Sequence, residues 1–280
     1  MKRVGQSMAI GAVSLGWAGT ALPEVFEQLR GMGGQCIELN SRVGLHDGLV
    51  LDSQTIPRVR SWARESGITI RSIGGYNDFV QREEGALRRE RKRLLDACHI
   101  ASEMGVGIVR AFTGEPKTGV AFEDVRTHIV DSFRQVAQQA EALGVTLAIE
   151  NHGHAMNDGP QLARLVKDIG VPGVGLTLDT GNFCWAGHDV AQARLDFQAV
   201  LPYTLNVHVK DGLWRDGTLA GPEFEFVPAG EGELDLAWVL NQLVAQGYEG
   251  PVYSEYEGRG DFLAGTRLSI VYLRSICQAA

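Results

Sequence analysis

Four absences narrow this chain before any motif is considered. No apolar run approaches the ~20 residues that a helical bilayer crossing requires, so no membrane span is expected. The four cysteines, Cys36, Cys98, Cys184 and Cys277, include neither a close pair nor zinc-ribbon spacing. Each is expected reduced, in a buried or half-buried position, which points to a cytoplasmic protein. No Lys/Arg stripe offsets a net charge of −8 and a pI near 5.4, so the field opposes a phosphate backbone and nucleic acid is not an expected partner. Finally, no linker, low-complexity tract or Gly-x-Gly-x-x-Gly turn after the first strand interrupts the pattern. The start, Met1-Lys2-Arg3, runs into a mildly apolar stretch broken by Gly5, Gln6 and Ser7, unlike a signal peptide.

What is present is ordinary globular composition, 44% hydrophobic and 21% charged over 280 residues. That length accommodates one α/β barrel of about 250 residues, so a single domain over residues 1–280 is expected. From Ala21 to Met32 the residues Leu22, Val25, Phe26, Leu29 and Met32 recur at helical spacing, Pro23 suits a first turn and Gly33-Gly34 supply a stop. A short strand, Cys36-Ile37-Glu38-Leu39, follows at once. The same unit recurs as helices near residues 54–66, 86–104, 123–143, 159–169, 190–201, 234–246 and 262–277, with strands starting near 36, 69, 107, 146, 174, 205 and 251. An opening strand within Val4–Leu15 completes eight. Regular βα alternation implies a parallel sheet, and eight units without a dinucleotide turn favour closure into a (β/α)₈ TIM barrel over an open doubly wound sheet. One connection, Gly212 to Gly232, is oversized and carries Trp214, Arg215, Phe224, Phe226 and Glu231; a loop of this length is expected to be functional or disordered.

In such barrels the site forms at the C-terminal strand ends. Strand five ends in Glu150, strand six in Asp179, strand seven in His208 and strand eight in Glu255. Period-two alternation sends Leu147 and Ile149 to the helices and Thr146, Ala148 and Glu150 to the barrel axis; Thr177 and Asn206 share faces with Asp179 and His208. A single acid at a strand end commonly caps a helix or loop. Three carboxylates and an imidazole at one depth would repel unless a cation joined them, and this oxygen-rich set suits Mn²⁺ first, then Mg²⁺, Co²⁺ or Zn²⁺. His152 or His154 could replace His208 as ligand, and Glu257 shares the parity of Glu255. Lys210 divides evenly between an oxyanion or anion contact and a solvated rim lysine. Glu38, Arg110 and Asn77 sit near other strand ends, as substrate contacts or as a polar plug. Trp17, Trp185 and Trp214 fall in strand-to-helix loops, where they could stack on a sugar ring or merely pack loops, whereas Trp62 and Trp238 fall in helices.

The segments Ala148-Ile149-Glu150-Asn151-His152, Leu178-Asp179-Thr180-Gly181-Asn182, Val207-His208-Val209-Lys210-Asp211 and Ser254-Glu255-Tyr256-Glu257-Gly258 resemble the xylose-isomerase-like superfamily of sugar phosphate isomerases and epimerases. The likeness spans the barrel; the superfamily includes hydroxypyruvate isomerases, ketose 3-epimerases, inosose dehydratases and, more distantly, endonuclease IV. It implies one divalent ion on Glu150, Asp179, His208 and Glu255, proton transfer by Glu150 and Glu255, and a small sugar or sugar phosphate as substrate, with His152, Asn182, Lys210, Arg110, Glu38 and the three loop tryptophans as candidate contacts. The ketose epimerases carry a histidine three residues after the aspartate, where this chain has Asn182. A dehydratase would use the same base and ion, expelling a β-hydroxyl from a keto-polyol or a dehydroshikimate- or inosose-like substrate. A sugar sensor without activity is a further alternative on the same scaffold. The three-metal centre of endonuclease IV needs more histidines than these strand ends supply. Substrate, metal identity and oligomeric state are not legible; a homo-oligomer stays open.

Overall fold

The computed structural model describes residues 8–153, 156–218 and 221–278. Eight parallel strands are β1 (Ile10–Val13), β2 (Cys36–Asn40), β3 (Thr69–Gly74), β4 (Ile108–Ala111), β5 (Thr146–Glu150), β6 (Val174–Asp179), β7 (Thr204–Val209) and β10 (Val252–Ser254). They close in chain order, β10 returning to β1. The helices between them are α1 (Leu22–Gly31), α2 (Ile56–Ser66), α3 (Glu84–Met104), α4 (Phe122–Ala142), α5 (Gly159–Ile169), the short α6 (Asn182–Trp185), α7 (Val190–Val200) and α8 (Leu236–Ala245), and α9 (Phe262–Gln278) follows the last barrel strand. The (β/α)₈ barrel expected from the pattern is therefore the fold. Its opening strand occupies part of the expected window; residues 1–7 lie outside the described ones.

Local sequence explains the helices. In α5, Asp158 caps the first turn by accepting from Gln161 N–H, Pro160 sits where its missing N–H costs nothing, and Gly170 closes the helix at φ +63°. Leu162, Leu165 and Ile169 form its buried stripe. Gly159, at the start of α5, lies against α7 so closely that a Cβ there would fall 2.5 Å from the Asp196 backbone, and its N–H donates to Asp196 at 2.9 Å. Leu147 and Ile149 are fully buried in the layer between strands and helices, as alternation requires.

Register then aligns the inward residues. Glu150 pairs with Thr177, Asp179 with His208, and His208 with Tyr253 across neighbouring strands. Glu255 follows directly, its N–H bound to Val209 at 3.0 Å.

The 212–232 connection is not the loop expected. It contains an antiparallel hairpin of β8 (Asp211–Thr218) and β9 (Gly221–Val227), with Trp214 opposite Phe224. The alternation Glu223, Phe224, Glu225, Phe226 is a strand signal lying between two glycine-rich flanks. Buried Asp211 fixes the hairpin base, accepting from Gly212 and Leu234 N–H on one oxygen and from Gly230 and Gly232 N–H on the other, at 2.9–3.3 Å. All of these donors except Gly212 lie in the segment returning from the hairpin toward α8.

Replacing Asp211 with Ala strands those N–H groups, and we expect a loss of about 3 kcal/mol in urea unfolding. Removing the exposed helix cap Asp235, which accepts from Trp238 N–H, should cost about 1 kcal/mol. Equal losses in the two variants would contradict the assigned role of Asp211.

Candidate active site

Strand ends β5, β6, β7 and β10 bring one ligand atom each from Glu150, Asp179, His208 and Glu255 to within 4.8 Å of one another. The described cluster draws on none of His152 or Glu257; His154 lies outside the described residues. His208 has two distinct faces. Nδ1 turns toward the cluster, 3.0 Å from Glu255 Oε2 and 3.8 Å from Glu150 Oε1. Nε2 turns away, 3.0 Å from Glu38 Oε2. Asp179 is held by one oxygen, Oδ1, which accepts from Gly181 and Asn182 N–H at 2.9 and 3.0 Å. Its buried Oδ2 accepts no hydrogen bond, although the Lys210 ammonium lies 3.1 Å away.

The charges do not balance without a further cation. Glu38, Glu150, Asp179 and Glu255 are buried, and so are Arg110 and Lys210. With a neutral imidazole, four carboxylates against two cations leave two negative charges uncompensated in a low-dielectric site. Three carboxylates, one of them with an orphaned oxygen, and one imidazole nitrogen fit one divalent ion of the Mg²⁺, Mn²⁺, Co²⁺ or Zn²⁺ type. Without such an ion the same deficit is met by protons. Burial pushes the Asp179 carboxyl up to about 8, against the pull of Lys210. Burial opposes charge on His208, yet Glu38 and Glu255 overcome it and hold the imidazolium well above its ordinary range. Burial also raises Glu150, whereas for Glu255 the nearby Lys210 and His208 outweigh burial and hold it well below the carboxylate range.

The other sequence candidates separate into those that face the cleft and those that stand behind it. A hollow of about 270 Å³ opens over the cluster, lined by Glu150, His152, Lys210, Arg110 and Glu255 among others. Lys210 is no solvated rim lysine: it is buried, 3.1 Å from Asp179, 3.2 Å from Glu255 and 3.0 Å from Glu257. Arg110 lies 3.1 Å from Glu38 and 3.3 Å from Glu150, with its guanidinium over the Phe112 ring at 4.3 Å. His152 packs on Phe112, centroids 4.6 Å apart, near Glu115. Asn77 reaches the cleft wall but spends its amide on the Phe112 backbone.

Three expected substrate contacts are placed elsewhere. Glu38 is fully buried behind His208; Ser72, Asn206 and His208 meet its Oε2 and Arg110 its Oε1, which leaves no oxygen facing the cleft. Burial opposes its ionisation, but His208 and Arg110 prevail and its pKa drops to about 2. Asn182 also stands behind the ligands, donating to Glu150 Oε1 and Asn151 O and accepting from Lys210. Trp17 is buried in the core: its indole donates to Gln28 at 2.7 Å and its ring meets Phe262 edge-on, so no ring face is left for a sugar. Trp185 and Trp214 line a neighbouring hollow. Sequence reading missed the Ser72 hydroxyl, which donates to Glu38 and lies 2.9 Å from Tyr253 Oη; inward parity with Glu255 would have exposed Tyr253, but nothing local marks Ser72.

With these couplings, metal uptake at the cluster is expected to release protons. Protons on His208 and Asp179 must leave before the ligands are free, so affinity should climb as pH rises through neutrality and fall on acidification. Calorimetric titration of Mn²⁺ in buffers of different ionisation enthalpy should report about two protons released per ion at pH 7; zero release would contradict the cluster as the binding site. Asp179→Ala and His208→Ala should not retain metal, and Glu38→Gln, which weakens the acceptor behind the imidazole, should lower affinity about 10–100-fold.

Residues 26–276 match the family described as xylose isomerase-like TIM barrel. A curated relative, 3-dehydroshikimate dehydratase of Pseudomonas putida, is 24% identical over 261 residues, 92% of this chain. The chain spans only 39% of that relative's length. Among solved structures, a xylose isomerase-like TIM barrel protein from Mycobacterium smegmatis in complex with magnesium superposes with a TM-score of 0.79 at 18% identity, covering 100% of this chain and 99% of that one. A 3-keto-D-glucoside 4-epimerase from E. coli, in its apo form, superposes with a TM-score of 0.75 at 20% identity, covering 96% and 99%. At these identities the structures establish the fold, and the family match carries the assignment: this chain belongs to the xylose isomerase-like TIM barrel family, whose relatives include epimerases and a dehydratase.

Proposed function

We propose that the protein is a divalent-metal-dependent isomerase or epimerase of a small neutral sugar, with Glu150 and Glu255 as the proton-transfer pair. The convergence of Glu150, Asp179, His208 and Glu255 beneath an open cleft carries this reading. A divalent ion there would supply Lewis-acid polarisation of a carbonyl beside the reacting carbon. The chain's own groups do the rest. Glu150 and Glu255 both line the cleft, so one can take a proton from substrate carbon and the other return one. Arg110 and Asn182 orient Glu150, while Lys210 and His208 hold Glu255. Lys210, anchored by three carboxylates, adds a fixed positive charge beside the oxygen that gains density as the proton leaves.

The cleft's charge favours a neutral substrate. Its cations are already paired: Lys210 as above, Arg110 with Glu38 and Glu150, and Arg93 with Glu90 at 3.2 Å. Its acids include Asp78, Glu115 and Glu257 beyond the ligand set. A phosphate or carboxylate on the substrate would meet this excess without an unpaired cation among the described lining residues. A dehydratase is the second reading, favoured by the match to 3-dehydroshikimate dehydratase. It would use the same base and expel a β-hydroxyl; a carboxylated substrate, however, suits this cleft poorly.

A panel of neutral ketoses and keto-glycosides with added Mn²⁺, read by NMR in heavy water, tests the class. The expected product has the substrate's composition and carries deuterium on the reacting carbon. A product lighter by one water would move the protein to the dehydratases. Glu150→Gln and Glu255→Gln should each lower turnover by roughly 10²-fold or more while holding some metal. Wild-type rates in both variants would end the acid–base assignment, and turnover of only phosphorylated or carboxylated sugars would end the neutral-substrate reading.

A further inference from the structure

Beside the catalytic cleft lies a second hollow of about 410 Å³, walled by Trp185 at the end of α6, by Trp214, Glu223 and Phe226 of the hairpin, and by Glu257 and Arg259 beyond β10. Glu257 lines both hollows. Trp185 stands at the same boundary, its ring centroid 6.2 Å from that of His152, which lines the catalytic cleft. The two spaces meet at Glu257 and the His152–Trp185 ring pair.

The lining chemistry of the second hollow is specific. Trp214 packs edge-on against Phe224 at 5.5 Å, and Phe224 against Phe226 at 5.9 Å, so strand pairing in the hairpin sets the ring positions. The Trp214 indole N–H is buried and has no acceptor among the described residues. Buried indole donors ordinarily find a partner, so this one is an unmet donor in a residue that lines the hollow. Around these rings stand Glu223, Glu257 and Arg259, the first and last paired at 3.2 Å and both well exposed. Flat aromatic faces bordered by carboxylates and a guanidinium match a ring whose faces are apolar and whose edges carry hydroxyls or ether oxygens. Its charges are matched, Glu223 with Arg259, Glu225 with Arg215 and Glu257 with Lys210, so no unpaired cation among the described lining residues is left for an anionic ring.

We propose that this hollow is a subsite for a neutral ring attached to the reacting sugar, so that the substrate is a glycoside carrying a second pyranose or an aryl aglycone. The inference rests on the sugar-converting reading of the first cleft. In that arrangement the reacting sugar lies over Glu150 and Glu255, the linkage passes Glu257, and the attached ring packs on Trp185 and Trp214 with its oxygens near the Trp214 N–H.

The five tryptophans provide the readout. In Mg²⁺-loaded, ¹⁵N-tryptophan-labelled protein, with indole signals assigned through single Trp→Phe variants, phenyl β-D-glucoside and cellobiose are titrated against methyl β-D-glucoside. The Trp185 and Trp214 signals should shift while Trp62 and Trp238 stay fixed, and at least one ring-bearing probe should bind roughly tenfold more tightly than the methyl glycoside. A stronger phenyl effect assigns an aryl aglycone; a stronger cellobiose effect assigns a second sugar. Trp185→Ala and Trp214→Phe should each erase most of that advantage, the latter keeping a ring while deleting the donor. No shift of the two signals with either ring-bearing probe, equal affinity for the methyl glycoside, or an advantage that survives both substitutions would overturn the subsite. Loss of deuterium incorporation in the ketose panel, with these shifts intact, would remove the isomerase reading alone.

Discussion

An unbalanced buried charge set is the constraint on which the rest of this structure depends. Four carboxylates and two cations are gathered at the barrel mouth, where burial makes every uncompensated charge expensive. Two added positive charges settle the account, whether as one divalent ion or as protons on His208 and Asp179. Burial among like charges pushes the Asp179 carboxyl up to about 8, while Glu38, behind the imidazole, drops to about 2. The former keeps one oxygen without a hydrogen bond among neighbouring carboxylates; the latter faces His208 and Arg110.

Around that constraint the polar groups form layers. Glu150 and Glu255 of the cluster line the cleft; behind it Asn182 bonds Glu150 and Glu38 bonds His208, while Ser72 and Asn206 hold Glu38, at 2.8–3.2 Å. Glu38 accepting from Nε2 leaves Nδ1 for the cluster, so the ring's usable nitrogen is selected by a residue three strands away around the barrel. The barrel makes this economical, since each strand end supplies one inward group and register aligns them at one depth.

The hairpin gives the site its outer shape. Asp211 stands directly after Lys210, so the chain that anchors the ammonium in the cluster also anchors the hairpin through four backbone N–H groups. The aromatic wall carried by β8 and β9 thus has a short, rigid connection to the charged cluster, and Lys210 lies 5.7 Å from the Phe226 ring centroid. This segment serves both spaces: Lys210 lines the first cleft, and Trp214, Phe224 and Phe226 line the second hollow.

The sequence by itself determined the repeated βα unit, closure into a barrel and the strand-end set Glu150, Asp179, His208 and Glu255, because period-two and period-3.6 patterns are local and the barrel converts strand-end position into proximity. The hairpin too is marked locally, by the alternation around Phe224, although the length of the connection alone suggests a loop. Only the tertiary structure decided which polar residues face the cleft and which stand behind it. Glu38 and Arg110 look equivalent as strand-end residues, yet Glu38 meets His208 because β2 and β7, three strands apart around the barrel, both send these side chains inward. Trp17, Trp185 and Trp214 look equivalent as loop tryptophans; Gln28 and Phe262 draw the first into the core, while the others line a surface hollow. The physical reason is the same in each case: a side chain's partners come from strands and helices distant in sequence, and no local pattern encodes them.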